Sequence, residues 1–288
     1  MNLRKINTRI VVAGATTALV GGALVATTVA PASAATVSND YVCTSSFGPM
    51  TTTLTVSGDL PVPQYWAGAN VPAGLLAVTA TASDIPAPMI TFGNVTDATA
   101  EDFAFDMDGA EVPVPLSGTF ASDGEGAYDW NATGSNEPFV TPAPGLQSAV
   151  LPASFNLVAN SSTMGAIALP CELAEGEEAQ TLASIELLKQ ASATTAKNVS
   201  AKKGKKAVVP ASVESTSLGG PVSGKVVAKK GKKTLASGML KKGSVKLNLG
   251  KKLKVGKHKI TVKYLGVPSV GGSSDKITVT VKKNKKKK

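Results

Sequence analysis

From Ala207 to Val281, apolar residues return at every second position, in runs too short for helices and divided by glycine-bearing turns. Ala207, Val209, Ala211 and Val213 form one such run, and Val222, Gly224, Val226 and Ala228 a second. Val245, Leu247 and Leu249 follow, then His258, Ile260, Val262 and Tyr264, and last Ile277, Val279 and Val281. A period of two buries one face of a strand and wets the other, whereas an amphipathic helix needs a period of about 3.6. Gly219-Gly220, Lys229 to Lys233, Lys241-Lys242-Gly243 and Gly271-Gly272 supply the turns. About seven strands within some ninety residues is the pattern of an Ig-like sandwich.

Residues 35–190 also read as β, with a different texture. In Thr51 to Gly58, Leu54 and Val56 share one face and Thr53 and Thr55 the other, and Leu76, Val78, Ala80 and Ala82 repeat the rhythm. Pro61, Pro63, Pro86, Pro88, Pro113 and Pro115 lack a ladder donor, so they punctuate strands or mark edges. A sandwich or barrel-like domain is expected. Thr181 to Lys189 is ambiguous, because Leu182, Ile185 and Leu188 also fit a helical stripe; the β surroundings favour a strand. Residues 191–196, Ala-Ser-Ala-Thr-Thr-Ala, read as a linker of small polar residues. The expected architecture is all-β, with two β-sandwich-like domains, the second Ig-like. The parts are a cleaved signal peptide at 1–34, an acidic domain at 35–190, the linker, a basic sandwich at 197–281 and a lysine tail at 282–288.

The net charge of +10 conceals a division between these halves. Residues 35–190 hold eighteen Asp or Glu against Lys189, a balance of −17. Residues 191–288 hold twenty-six lysines against Glu214 and Asp275, a balance of +24. Arg4, Lys5 and Arg9 precede an apolar stretch from Ile10 to Val29, and Ala32 and Ala34 stand at the small-residue positions of a cleavage site. That is the layout of a secretory signal, and no second run of membrane length follows. The C-terminus carries no wall-sorting motif with an apolar stretch, so any surface attachment is expected to be noncovalent. Cys43 and Cys171 are the only cysteines, and an even count in an exported chain reads as one disulfide.

Catalytic signals are weak. With one histidine and no spare cysteine, tetrahedral zinc sites and His-dependent triads are excluded, and His258 shares the apolar phase of its strand, as a packing residue does. Asp102, Asp106 and Asp108 before Gly109 resemble a calcium loop, but Ala104 and Pro115 stand where ligands are required. Asp106, Asp108, Asp123 and Glu125 remain a looser set of carboxylates, able in principle to hold a cation or to hydrolyse a wall glycan with the basic half as targeting module. Tyr65-Trp66 and Tyr128-Asp129-Trp130 offer sugar-stacking surfaces or, more ordinarily, core. No cofactor is implied.

The lysines are the unusual feature. Lys-Lys-Gly-Lys-Lys occurs twice, giving Lys202, Lys203, Lys205 and Lys206, then Lys229, Lys230, Lys232 and Lys233. Alternation turns Lys225, Lys246, Lys257, Lys259, Lys263 and Lys276 outward, and Lys285, Lys286, Lys287 and Lys288 end the chain. Self-repulsion of this size calls for a polyanionic partner, and the acidic half of another copy is one candidate. This half has no arginine for base readout and only Tyr264 as an aromatic, so nucleic acid binding is expected to be nonspecific at most.

The runs Gly220 to Val226, Leu235 to Leu240, Val255 to Gly266 and Ile277 to Val281 together resemble the bacterial Ig-like repeats of secreted and cell-surface proteins. Tyr41-Val42-Cys43 through Ala168-Leu169-Pro170-Cys171 loosely resembles a secreted actinobacterial domain to which no activity attaches. The resemblances imply a spacer, stalk or adhesive role outside the cell. The resulting expectation is a secreted or wall-associated, non-enzymatic protein whose lysine-rich domain holds an anionic envelope polymer or another extracellular polyanion.

Overall fold

The computed structural model describes residues 35–45, 48–59 and 64–284; the expected signal segment and Lys285 to Lys288 lie outside the described residues. The chain is all-β apart from one short helix. In order, the strands of the first half are β1 (Ala35–Ser45), β2 (Gly48–Asp59), β3 (Gln64–Trp66), β4 (Asn70–Val71) and β5 (Ala77–Pro86), then helix α1 (Ala87–Gly93). Next come β6 (Val95–Ala100), β7 (Ala104–Met107), β8 (Ala110–Pro113), β9 (Leu116–Ser122), β10 (Ala127–Ser135) and β11 (Phe139–Val140). β12 (Gly145–Val150), β13 (Ser154–Ser161), β14 (Gly165–Leu173) and β15 (Thr181–Leu188) complete that half.

Eight of these strands close into a barrel in the order β1-β14-β13-β6-β9-β10-β5-β2. The sandwich or barrel-like expectation thus takes the form of a closed barrel with a second sheet, β3-β15-β12-β7-β8, sharing its core. Inward positions on several barrel strands are small: Ala80 and Ala82, Ala98 and Ala100, Ala132, Ala159. A core lined with such small residues leaves room for large rings, and Trp130, Tyr41 and Phe155 are buried there, Trp130 with no exposed surface. Outward positions carry Thr and Ser in register, Thr36 beside Ser57, Ser57 beside Thr79 and Thr79 beside Thr133, which suits a wet face of β-branched residues. At Gly118 a Cβ would stand 2.1 Å from the Asn131 carbonyl oxygen, so no side chain fits where β9 meets β10.

Cys43 and Cys171 face each other across β1 and β14 and are bonded, at a sequence separation of 128. The bond therefore fastens the seam where the first barrel strand meets the last. Tyr41, two residues before Cys43, packs edge-on against Phe155 and donates its hydroxyl to the Pro152 carbonyl at 2.7 Å.

Two local features depart from the pattern in the sequence. Thr181 to Leu188 is a strand, and its helix-like spacing has a cause: Thr181 pairs with Val150 and Ala183 with Ala149, so Leu182 is an extra, bulged residue. The bulge turns Leu182 and Ile185 into the same core although they lie three apart. Helix α1 stands where Pro86 and Pro88 suggested only strand punctuation. Proline is tolerated in a first helical turn because that turn needs no N–H donor, and Asn94 at φ 43° ends the helix.

The second half comprises β16 (Ser192–Ala196), β17 (Val199–Lys202), β18 (Val208–Ser215), β19 (Lys225–Lys230), β20 (Lys233–Met239), β21 (Ser244–Asn248), β22 (Gly256–Tyr264) and β23 (Ser273–Lys282). A three-stranded sheet, β16-β18-β21, faces a five-stranded one, β17-β23-β22-β19-β20, across a core of Val209, Val213, Leu247, Ile260, Val262, Tyr264 and Val279. This is the expected Ig-like sandwich. Residues 192–196 are a correction, because they form β16 and not a linker, with Thr194 opposite Val213. Small polar residues fit an edge strand there because their hydroxyls bridge the sheets: Ser192 donates to the Gly271 carbonyl at 2.6 Å and Thr194 pairs with Ser273 at 2.6 Å.

The two cores meet at Gln190, which is buried. Its side-chain amide donates to the Ala67 carbonyl at 2.6 Å, its backbone N–H to Ser269, and its carbonyl accepts from Gly271. One residue thus bonds a turn of the barrel half to a turn of the sandwich half.

Candidate polyanion-binding face

Strand register converts the lysine alternation into a surface. On β22, His258, Ile260, Val262 and Tyr264 are buried, so Lys257, Lys259, Thr261 and Lys263 face solvent. Lys257 lies opposite Thr280, Lys259 opposite Thr278, Thr261 opposite Lys276 and Lys263 opposite Ser274 on β23. On the other flank Thr261 pairs with Lys229 and Lys263 with Val227 of β19, while Lys225 accepts the next hydrogen bond from Leu265. At the opposite corner, Lys202 of β17 sits beside Lys282 of β23. Eight lysines therefore share the outer face of the five-stranded sheet, interleaved with Thr and Ser.

That face carries no carboxylate among the described residues. Of the two acids in this half, Glu214 belongs to β18 in the other sheet, and Asp275 accepts from the backbone N–H groups of Ala196 and Lys276. Among the described residues, the only hydrogen bond from a lysine ammonium goes to His258. No carboxylate among the described residues pairs with these charges. Val227 shows how the lysines lie: it occupies an outward position yet is only 6% exposed. The register surrounds it with Lys225, Lys229 and Lys263, side chains long enough to cover an apolar neighbour with their stems and keep their heads in water.

The sequence candidates divide accordingly. Lys202, Lys229, Lys257, Lys259 and Lys263 come together on this face, joined by Lys225, Lys276 and Lys282. Lys203, Lys205 and Lys206 occupy the turn after β17, and Lys230, Lys232 and Lys233 the β19–β20 hairpin end. The two Lys-Lys-Gly-Lys-Lys copies thus sit at opposite edges of the sheet, where lysine also discourages strand addition. Lys282 had been assigned to the tail, and only pairing with β17 reveals its place on the face.

His258 is a packing residue, as expected. Its Nε2–H donates to the Lys254 carbonyl at 2.6 Å, and Nδ1 accepts from Lys230 Nζ at 3.0 Å, which fixes the neutral tautomer and leaves no free ring nitrogen. The Tyr264 hydroxyl donates to the Ser223 carbonyl at 2.7 Å, and burial pushes its pKa upward.

Two of the carboxylate candidates are held by local backbone, and Asp108 accepts from the Ser148 N–H on β12. Asp106 Oδ1 accepts from Gly109 at the β7–β8 turn. Asp123 Oδ1 accepts from Glu125, Gly126 and Ala127 in the β9–β10 loop, and these amides hold its pKa below the usual range. The two loops belong to different sheets, and among the described residues no three His, Cys, Asp or Glu side chains converge. Trp130 is core, and Tyr65, Trp66 and Tyr128 are half-buried.

Two clefts lie on or beside the second half. A groove of about 540 Å³ crosses the three-stranded sheet, between Pro210, Met239 and Val245 and with Lys197, Lys241 and Lys246 around it. A cleft of about 490 Å³ lies beside Gln190 and has no charged side chain in its wall. No described helix is long and apolar enough to cross a membrane.

No protein-family model matches the chain, and no curated protein matches it either. Among solved structures, a Corynebacterium diphtheriae protein described as membrane anchored aligns over 88% of this chain at 13% identity, with a TM-score of 0.40. The chain spans about 60% of that protein's length. The fibronectin(III)-like modules of Clostridium thermocellum CbhA align over 79% of this chain and 94% of their own length, at 16% identity and TM-score 0.27. The Yersinia pseudotuberculosis adhesin InvE aligns over 75% of this chain and 55% of its own, at 13% identity and TM-score 0.27.

Proposed function

We propose that this chain is a secreted, noncovalently surface-associated binding protein whose lysine-bearing Ig-like half holds anionic envelope polymer while the disulfide-fastened acidic barrel is displayed away from it. The observation that carries the reading is the outer face of the five-stranded sheet: eight lysines and, among the described residues, no carboxylate and no ion pair. Polyanions bind such a surface by releasing their condensed counterions, which makes the interaction strong at low salt and steeply salt-dependent. Lysine, a compact point charge on a flexible stem, suits diffuse phosphate or carboxylate polymers better than planar, bidentate recognition. Nucleic acid falls within this chemistry only through its backbone.

The test is sedimentation of the full-length protein with isolated cell envelopes across a salt series, before and after chemical extraction of the anionic polymers. Binding is expected to weaken steadily with salt and to disappear from extracted envelopes. Binding that survives molar salt, or that extraction leaves unchanged, sinks the proposal.

A further inference from the structure

The lysines of the outer face are not scattered over it. Placed by register, Lys282, Lys257, Lys259, Lys263 and Lys225 fall in sequence along one diagonal, from β23 across β22 to β19. Outward neighbours on one strand are about 7 Å apart and a step of two residues and one strand is about 8 Å, so the charges recur at about 7–8 Å except between Lys259 and Lys263, where Thr261 stands and the step is about 14 Å. The whole diagonal measures about 35 Å from Lys282 to Lys225. Lys276 and Lys229 flank its middle on either side, both opposite Thr261. Hydroxyls fill the steps beside the charges: Thr280 next to Lys257, Thr278 next to Lys259, Ser274 next to Lys263.

We infer that this diagonal is a track for one extended, linear phosphodiester polymer with hydroxylated spacers and an anionic group about every 7 Å. The inference rests on the polyanion reading above and specifies the geometry of its ligand. Each ammonium meets one phosphodiester, and the adjacent Thr or Ser hydroxyl meets a spacer hydroxyl or the second phosphate oxygen. A compact anion uses only one or two of the five positions. A densely charged chain places more charges on the track than there are lysines to meet them. Bases add nothing, because the track has neither arginine nor an aromatic ring.

The probe is a length series of fluorescent abasic phosphodiester oligomers, with base-bearing oligomers of equal length as a second arm, titrated against the full-length chain. Two triple variants remove equal charge: Lys257→Gln, Lys259→Gln, Lys263→Gln on the track, and Lys197→Gln, Lys241→Gln, Lys246→Gln around the groove of the other sheet. All six side chains are exposed, so both proteins should fold, which circular dichroism checks. Affinity is expected to climb until about five or six phosphates span the track and then to level off. The track variant should lose at least about tenfold, with the slope of log K against log salt shallower by about 2, while the groove variant stays within about threefold. Equal losses in the two variants overturn the track and leave the polyanion reading standing. Absence of binding by the unmodified chain overturns both. A clear preference for base-bearing oligomers overturns the assignment of the ligand, and self-association that only the track variant abolishes, without oligomer binding, transfers the face to a second copy's acidic half.

Discussion

Replacing Cys43 and Cys171 together by alanine tests how the barrel is held. The bond joins positions 128 residues apart, so its loss frees the unfolded chain from a loop of that size. In the chain-entropy treatment such a loop is worth about 5 kcal/mol at 25 °C. With a urea m-value of about 2 kcal/mol/M, the midpoint of barrel unfolding should fall by about 2.5 M. Tryptophan emission isolates the event, because Trp66 and Trp130 both lie in the first half and Trp130 is fully buried in its core. Amide exchange on β22 supplies the internal control, since that strand belongs to the other core and should keep its protection. A midpoint shift below about 1 M would refute the loop-closure account. So would an equal loss of protection on β22, because the bond would then be acting through the native junction and not through the unfolded chain.

Other positions give sharper local tests. Trp130→Ala should cost about 3–5 kcal/mol through the cavity it opens, and Trp130→Phe clearly less, because phenylalanine fills much of the space and removes the buried Nε1–H that has no partner; urea denaturation ranks the two. Gln190→Ala strips the Ala67 carbonyl of its side-chain donor at about 1–3 kcal/mol, and limited proteolysis should cut faster between residues 188 and 192. Asp123, with its pKa lowered mainly by the Glu125 amide, contributes stability above the unfolded carboxylate pKa that is lost as pH falls through its lower folded value; Asp123→Asn should flatten the acid limb of stability against pH. Gly118→Ala should prevent barrel closure, seen as loss of the native tryptophan emission, because the new Cβ meets the Asn131 carbonyl.

Much of the fold is legible because period two survives wherever one face is buried. The inward sets of the sandwich, such as Ile260, Val262 and Tyr264, are those the alternation names, and the cysteine pair follows from an even count. Barrel closure is not legible, since it depends on which strands pair across 128 residues, and alternation is silent about partners. Leu182 misleads for a related reason: a bulge shifts the phase, and a one-residue shift looks helical. Ser192–Ala196 has the composition of a linker and the hydrogen bonds of a strand, because its hydroxyls find partners on another sheet. The lysines read from sequence as a general coat. Their diagonal emerges only from the register of three strands, and Lys282 joins it from what looks in the sequence like a tail.

The bonds at Gln190 have an electrical consequence. Without a slack connector, the −17 of the barrel half and the positive charge of the sandwich half are fixed in one molecular frame, so the protein carries a permanent dipole that bending at the join cannot average away. In the field of an anionic surface such a body feels a torque as well as an attraction. Near any such surface the torque turns the basic half toward it and the acidic half away. At about 0.15 M salt that guidance acts only within about 8 Å, so orientation is decided in the last moments of approach.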